Sequence, residues 1–310
     1  MNSQLIIPVG TQIVSRTELY DSDGALLSPR GAVGVIVTAP IDHTHSYRIL
    51  FTNNVESSLT RKEFSLRKQH QAFELTDARD EAALREFIIY RCVIGSRAYG
   101  LETEASDTDR RGIYLPPAAL HWSLAGVPEQ LENEAEQANQ ECYWELQKFL
   151  TLALKANPNI LECLYSPLVE HAAPLAQELL AMRDCFLSQL VYQTYNGYVM
   201  SQFKKLEQDV RTTGEPNWKH AMHLIRLLMS GISVLRDGFV NVHVGARRDL
   251  LLSLRRGELP WQEVNALRLR LHTEFDGALN FTRLPERPDY ARANAFLLKA
   301  RRAMVEGESL

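Results

Sequence analysis

Cysteine patterns that build disulfides or metal sites are missing from this chain. Its four cysteines, Cys92, Cys142, Cys163 and Cys185, are scattered through 310 residues and form no Cys-x-x-Cys pair. That excludes a disulfide scaffold and a zinc ribbon, and it points to buried thiols in a reducing cytoplasm. No apolar run is long enough to span a bilayer, so no membrane partner is expected. The opening Met1-Asn2-Ser3-Gln4 has no basic stretch, so no secretory signal is expected. No Gly-x-x-x-x-Gly-Lys-Ser/Thr pattern occurs, which sets aside a phosphate-loop NTPase. There is no internal repeat. Excess positive charge is also absent: the net value of −4 does not advertise nucleic-acid binding.

What is present is a globular composition, with 45% hydrophobic and 23% charged residues. The length allows two or three domains. Charge is unevenly spread. Residues 71–213 carry a net −9 and residues 214–310 a net +4. The acidic middle holds the most informative stretch.

That stretch runs from Cys92 to Tyr114. An apolar strand enters Gly95-Ser96, a short polar turn follows, and Asp107 and Asp109 lead into a second strand. Gly95 lets the backbone turn sharply and lets a ligand approach closely. Ser96 can open a short helix whose free N–H groups attract phosphate. On a strand, Asp107 and Asp109 point the same way. Paired carboxylates suit Mg²⁺ or Mn²⁺, whose shell phosphate and water complete. Ser106-Asp107-Thr108-Asp109 alone would also make a surface turn. The preceding Gly-Ser turn shifts the weight toward a phosphate and metal site.

Gly95-Ser96-x-Ala98-Tyr99-Gly100 followed by Ser106-Asp107-x-Asp109-x-Arg111-Gly112 resembles the polymerase-beta-type nucleotidyltransferase superfamily. More narrowly, it resembles the bacterial and phage branch associated with RNA ligases. Three later segments fit that branch: Lys148-Phe149 leading to Asn157-Pro158-Asn159-Ile160-Leu161-Glu162, Lys219 to Leu227, and Leu284 to Asp289. The resemblance covers roughly residues 85 to 303 and implies a third catalytic acid on a third strand. Alignment from Leu146-x-Lys148-Phe149 puts that acid at Gln140, where this chain departs from the pattern. Glu141 is adjacent, but on a regular strand it faces the other way unless a bulge intervenes.

Residues 1–70 read as short strands separated by turns, such as Asp21-Ser22-Asp23-Gly24 and Ser28-Pro29-Arg30-Gly31. Strands are expected near 11–14, 34–38, 47–51 and 58–61. Their size and spacing predict a small SH3-like or Sm-like β-barrel that packs on the next domain, mediates oligomers or binds RNA. His43 and His45 lack a third ligand, so no metal is expected there. A linker at 69–76 and a helix opening at Asp77 follow. An acidic run at 131–137 reads as an exposed, mobile loop. Asn157-Pro158-Asn159 reads as a turn that ends a helix over 148–156. Glu162 reads as a structural acid pairing with an arginine, or as a catalytic one.

From about residue 175 the chain reads as helical. Tyr192, Tyr195, Tyr198 and Phe203 form an aromatic stripe, read as core. Pro216 suits a helix N-terminal turn. Lys219, His223 and Arg226 share one face of the next helix at i, i+4 and i+7. A basic face on an apolar helix suits either triphosphate or a set of salt bridges. Arg247, Arg248, Arg255 and Arg256 form basic pairs. A last helix ends near Val305, with a frayed tail at 306–310.

The expected architecture is therefore multidomain α+β: a β-barrel (1–70), a mixed α/β nucleotidyltransferase core (77–170) and an α-helical domain (171–310). The expected reaction moves a nucleotidyl group from an NTP such as ATP to a hydroxyl, releasing pyrophosphate; the resemblance implies an RNA end in a repair role as the acceptor, with a protein hydroxyl or a small molecule left open. Asp107, Asp109 and Glu141 are the candidate catalytic acids, and the first two hold the metal. Gly95, Ser96, Arg97, Arg111, Lys219, His223 and Arg226 are the candidate nucleotide contacts. The rivals are a nucleotide or RNA sensor with weak or lost catalysis, and a protein-modifying AMP or UMP transferase.

Overall fold

The computed structural model describes residues 6–21, 23–40, 45–68, 81–104, 106–132 and 139–306. The linker at 69–76, the helix opening at 77–80, His43, most of the acidic run (133–138) and the tail 307–310 lie outside the described residues. The chain divides into two compact units, Met1–Asp80 and Glu81–Leu310.

The first unit is a five-stranded antiparallel sheet. Its strands are β1 (Gln12–Ser15), β4 (Val33–Thr38), β5 (Tyr47–Phe51), β6 (Glu56–Leu59) and β7 (Phe64–Leu66), in the order β6-β5-β4-β1-β7. A hairpin of β2 (Leu19–Tyr20) and β3 (Leu26–Ser28) is inserted after β1. Alternation drives the sheet. In β5, Tyr47, Ile49 and Phe51 turn inward, where Ile13, Ile36, Leu59 and Phe64 meet them. The last strand differs from the sequence expectation. Arg61–Glu63 is a 3₁₀ turn, held by the Glu63 carboxylate accepting from the Thr60 N–H at 2.7 Å. The chain then re-enters the sheet as β7, pairing with β1. Three residues carry too little periodicity to be read as a strand.

The second unit is a mixed sheet with helices. Its strands are β8 (Ile88–Ile94), β9 (Asp109–Tyr114), β10 (Gln130–Glu132), β11 (Glu141–Glu145) and β12 (Val169–Ala172), in the order β10-β11-β9-β8-β12. Among the described residues only β9 and β11 pair in parallel; the other pairs are antiparallel. Gly112 is the tight point of the sheet, because a Cβ there would lie 1.8 Å from the Tyr90 carbonyl oxygen. A register shift between Ile88 and Tyr90 accompanies this close approach.

The helices are α1 (Glu81–Leu84), α2 (Gly95–Tyr99), α3 (Ala118–Trp122), α4 (Leu146–Leu154), α5 (Pro158–Leu164), α6 (Pro174–Ala181), α7 (Leu190–Thr213), α8 (Trp218–Asp237), α9 (Arg248–Arg255), α10 (Trp261–Phe281) and α11 (Tyr290–Glu306). Helix α4 buries Leu146, Phe149, Leu150 and Ala153, a single stripe, and Glu145 caps it by accepting from the Gln147 N–H. The Asn157-Pro158-Asn159 turn does more than end α4. Asn157 caps α5, accepting from Asn159 and Ile160, with Pro158 in the first turn. Likewise Asn217, one residue past Pro216, caps α8 by accepting from the His220 N–H.

The main apolar core of this unit runs from Ile89 and Cys92 on the sheet to Phe296 and Met304 on α11, and a smaller cluster gathers Leu84, Ile88, Tyr114, Leu131 and Tyr143. All four cysteines are buried thiols within the unit. The aromatic stripe of α7 is core. Tyr195 is fully buried, and Tyr192, Tyr198 and Phe203 pack against the same cluster. No helix of the described residues is long and apolar enough to cross a membrane.

Candidate functional site

Strand β8 is driven inward by Ile89, Tyr90, Cys92 and Val93, and it ends at Gly95, whose φ of +72° is open to glycine at little cost. The chain then makes the single turn of α2 and leaves it through Gly100, also left-handed at +71°. A loop returns the chain to β9, which opens at Asp109. Asp107 therefore lies just before the strand, two residues from Asp109.

A cavity of about 180 Å³ opens at this junction. Gly95, Ser96, Asp107 and Asp109 line it from the sheet side. Lys219 and His223 of α8 and Arg255, the last residue of α9, line it from the helices. Residues far apart in sequence, two acids and a basic set, thus share one concave site.

The acids are left available. Neither the Asp107 nor the Asp109 carboxylate has a hydrogen bond or ion pair with the described residues. The Asp109 carboxylate lies over Gly95, where a Cβ would come within 2.8 Å of Oδ2. Gly95 thus serves twice, turning the backbone and vacating the space that the carboxylate occupies. Two hard oxygen donors on an open cavity fit Mg²⁺ or Mn²⁺, with phosphate and water completing the shell. Among the described residues no group of three or more His, Cys, Asp or Glu could hold a metal by itself, so the protein supplies part of a shell and no closed cage.

The helix side is electropositive. Burial, reinforced by Arg226, Lys219, His220 and Arg255, pulls the His223 imidazole down to about 4. His223 is thus neutral near pH 7, and it enters the cavity as a hydrogen-bonding group among cations. Lys219 and Arg255 carry the charge. Two acids opposite two cations match a metal-bound triphosphate, with its metal on one side and its anionic oxygens on the other.

Arg226 is placed differently. Its Nη1 donates to Glu162 Oε1 at 2.6 Å, and its guanidinium lies 3.7 Å from the centre of the Tyr99 ring. The Tyr99 hydroxyl donates to the other Glu162 oxygen at 2.5 Å. Burial opposes the Arg226 charge, but the Glu162 carboxylate together with Tyr99 and Tyr195 outweighs it and raises Arg226 above its ordinary value. This buried group ties α2, α5 and α8 together. Each member comes from a different one of the sequence segments quoted above, and Glu162 takes the structural role.

The remaining predicted residues hold the site from outside. Arg97 donates to the Ser106 carbonyl at 2.9 Å, bracing the loop that carries Asp107. Arg111 donates to the Arg110 and Gln140 carbonyls, stitching β9 to β11. Glu141 is not brought to the cavity. Its carboxylate pairs with Arg85 at 3.0 Å. Glu141 stands opposite Arg110 in the parallel register, so Gln140, one step back, falls opposite Asp109 and shares its face. The β9–β11 register carries no shift, and Gln140 and Glu141 do not line the cavity.

Arg255 is a charged lining residue that the sequence does not mark as a contact, and Leu101 and Met222 line the cavity beside it. Its only local signal is the basic pair with Arg256. What brings it to the cavity is the packing of α9 on α8, which buries Leu251 and Leu254. Tyr99 belongs to the Gly-Ser motif, whereas its partner Glu162 lies 63 residues away.

A family model described as "RNA repair pathway DNA polymerase beta family" matches residues 67–299. An uncharacterized protein, YcgL, of Bacillus subtilis (strain 168) is 35% identical over 97 residues, covering 31% of this chain and 37% of the relative. The match thus spans little more than a third of that relative's length. A solved nucleotidyltransferase-like protein from Exiguobacterium sibiricum 255-15 aligns at 15% identity over 76% of this chain and 80% of its own, with a TM-score of 0.25, on which no conclusion rests.

Proposed function

The chain belongs to the RNA repair pathway DNA polymerase beta family, and from that premise we propose that it transfers a nucleotidyl group from an NTP to the hydroxyl of an RNA end, releasing pyrophosphate. The observation that carries this reading is the cavity in which Asp107 and Asp109 meet Lys219, His223 and Arg255. Asp107 and Asp109 would hold Mg²⁺ or Mn²⁺, which would supply Lewis-acid polarisation of the phosphoryl oxygens. Lys219 and Arg255 bind and orient the phosphates, and neutral His223 donates one hydrogen bond to them. Gly95 and Ser96 let the triphosphate approach the backbone. Arg97, Arg111 and Arg226 act on position alone, through the loop, the strand pair and the Tyr99–Glu162 group.

We read the first unit as SH3-like. Its strand order, the hairpin after β1 and the 3₁₀ turn before β7 support that reading. Its proposed roles are contact with RNA or with a second copy of the chain.

Gln140 favours a second reading, a nucleotide or RNA sensor with weak or no turnover, because the amide cannot accept the acceptor hydroxyl's proton. The two are separated by incubating the protein with each α-labelled NTP, Mg²⁺ or Mn²⁺ and pooled RNA, beside the Asp107→Ala/Asp109→Ala variant. Label on RNA that needs both aspartates supports transfer and names the base. NTP binding without transfer supports the sensor. Label on protein supports AMP or UMP transfer to a protein.

A further inference from the structure

Strand β11 brings no acid to the cavity, and Glu141 at its start is paired with Arg85. What the entry to β11 contributes is a row of hydrogen-bond acceptors along the chain that carries the two aspartates. The Gln140 carbonyl accepts from the Arg110 N–H at 2.8 Å and from Arg111 Nη1 at 3.0 Å. One residue earlier, Asn139 Oδ1 accepts from the Thr108 N–H at 3.0 Å.

Thr108 lies between Asp107 and Asp109. Both acids line the cavity, and neither Thr108 nor Asn139 does. The flanks of this segment are held by other contacts. Upstream, Arg97 donates to the Ser106 carbonyl, and the Ser106 hydroxyl accepts from the Thr103 N–H at 2.8 Å. Downstream, Asp109 is already in the sheet, opposite Ile94 of β8. Asp107 precedes the strand and has no such ladder. Among the described residues, Asn139 makes the only side-chain hydrogen bond to the backbone of 107–109. The Thr108 N–H belongs to the rigid peptide plane that joins Asp107 to Thr108, so pinning it restrains the direction in which Asp107 points. Mg²⁺ demands near-ideal octahedral geometry, so the aim of each carboxylate decides how well two of them share one ion. A neutral amide oxygen suits the place, because it accepts without adding charge beside two acids.

We propose that Asn139 is a positioning residue: by holding the Thr108 N–H it aims the Asp107 carboxylate at the metal it shares with Asp109. This rests on the metal-site reading above. Tripolyphosphate binding is measured calorimetrically across a Mg²⁺ titration on the full chain, on Asn139→Ala and on Asn139→Asp, and hydrogen exchange at Thr108 is followed in each. Asn139→Ala should need about three- to tenfold more Mg²⁺ for half-maximal binding, the range expected from one lost hydrogen bond. Its Thr108 amide should exchange faster. Asn139 is exposed, so the thermal midpoint without Mg²⁺ should stay within the range of surface substitutions. Asn139→Asp keeps the acceptor, so Thr108 should stay protected and the Mg²⁺ requirement should not rise. The inference is overturned if Asn139→Ala leaves that requirement unchanged, or if its midpoint drops as for a core substitution. It is equally overturned if Asn139→Asp needs as much Mg²⁺ as Asn139→Ala while Thr108 stays protected. Wild-type protein whose tripolyphosphate binding ignores Mg²⁺, or that does not bind it, overturns the metal reading itself, a signature distinct from the others.

Discussion

Gly95 has its backbone in a left-handed turn and the Asp109 carboxylate against its Cα. Gly95→Ala should therefore strain the turn and push that carboxylate away, abolishing Mg²⁺-dependent triphosphate binding in calorimetry; retained affinity would show that Asp109 need not sit there. His223 makes a different prediction. Its folded value, about 4, lies below the ordinary value of 6.5. The unfolded chain thus takes up the proton first as pH falls. Stability is intact above the ordinary value and lost from there down toward the folded one, by up to about 3 kcal/mol. His223→Gln should flatten that acid arm, read as denaturation midpoints across the pH range. Gly95, Ser96, Asp107 and Asp109 were legible in the sequence because turn chemistry and carboxylate spacing are local. Arg255 was not, because nothing near it in sequence distinguishes it from a solvated arginine.

Elements were legible where a stripe or an alternation ran long enough to be counted, as in α4 and β5. They were lost where tertiary pairing alone defines them, as with β7 and the β2–β3 hairpin. The face of β11 followed from period two: Glu141 turns away and Gln140 stands beside Asp109. The joint between elements is the Tyr99–Glu162–Arg226 group. Glu162→Ala leaves the Arg226 charge buried without its carboxylate, which should cost about 3–5 kcal/mol. Urea denaturation measures this, and a loss within the range of surface substitutions would mean that the pair is dispensable.

On the scale of the whole molecule, every residue lining the proposed nucleotide cavity belongs to the second unit. Deleting residues 1–80 should leave NTP affinity unchanged and weaken RNA binding, as read by titration of labelled RNA; lost NTP binding would assign the first unit a part in the site. The two sides of the first cavity also differ in when they are made. Ser96, Asp107 and Asp109 leave the ribosome more than a hundred residues before Lys219, and Arg255 follows later still. During synthesis the nascent chain thus exposes acids with no cations to face them. A translation product that stops short of α9 keeps Lys219 and lacks Arg255, so the cationic side of the cavity is completed only once α9 has been made.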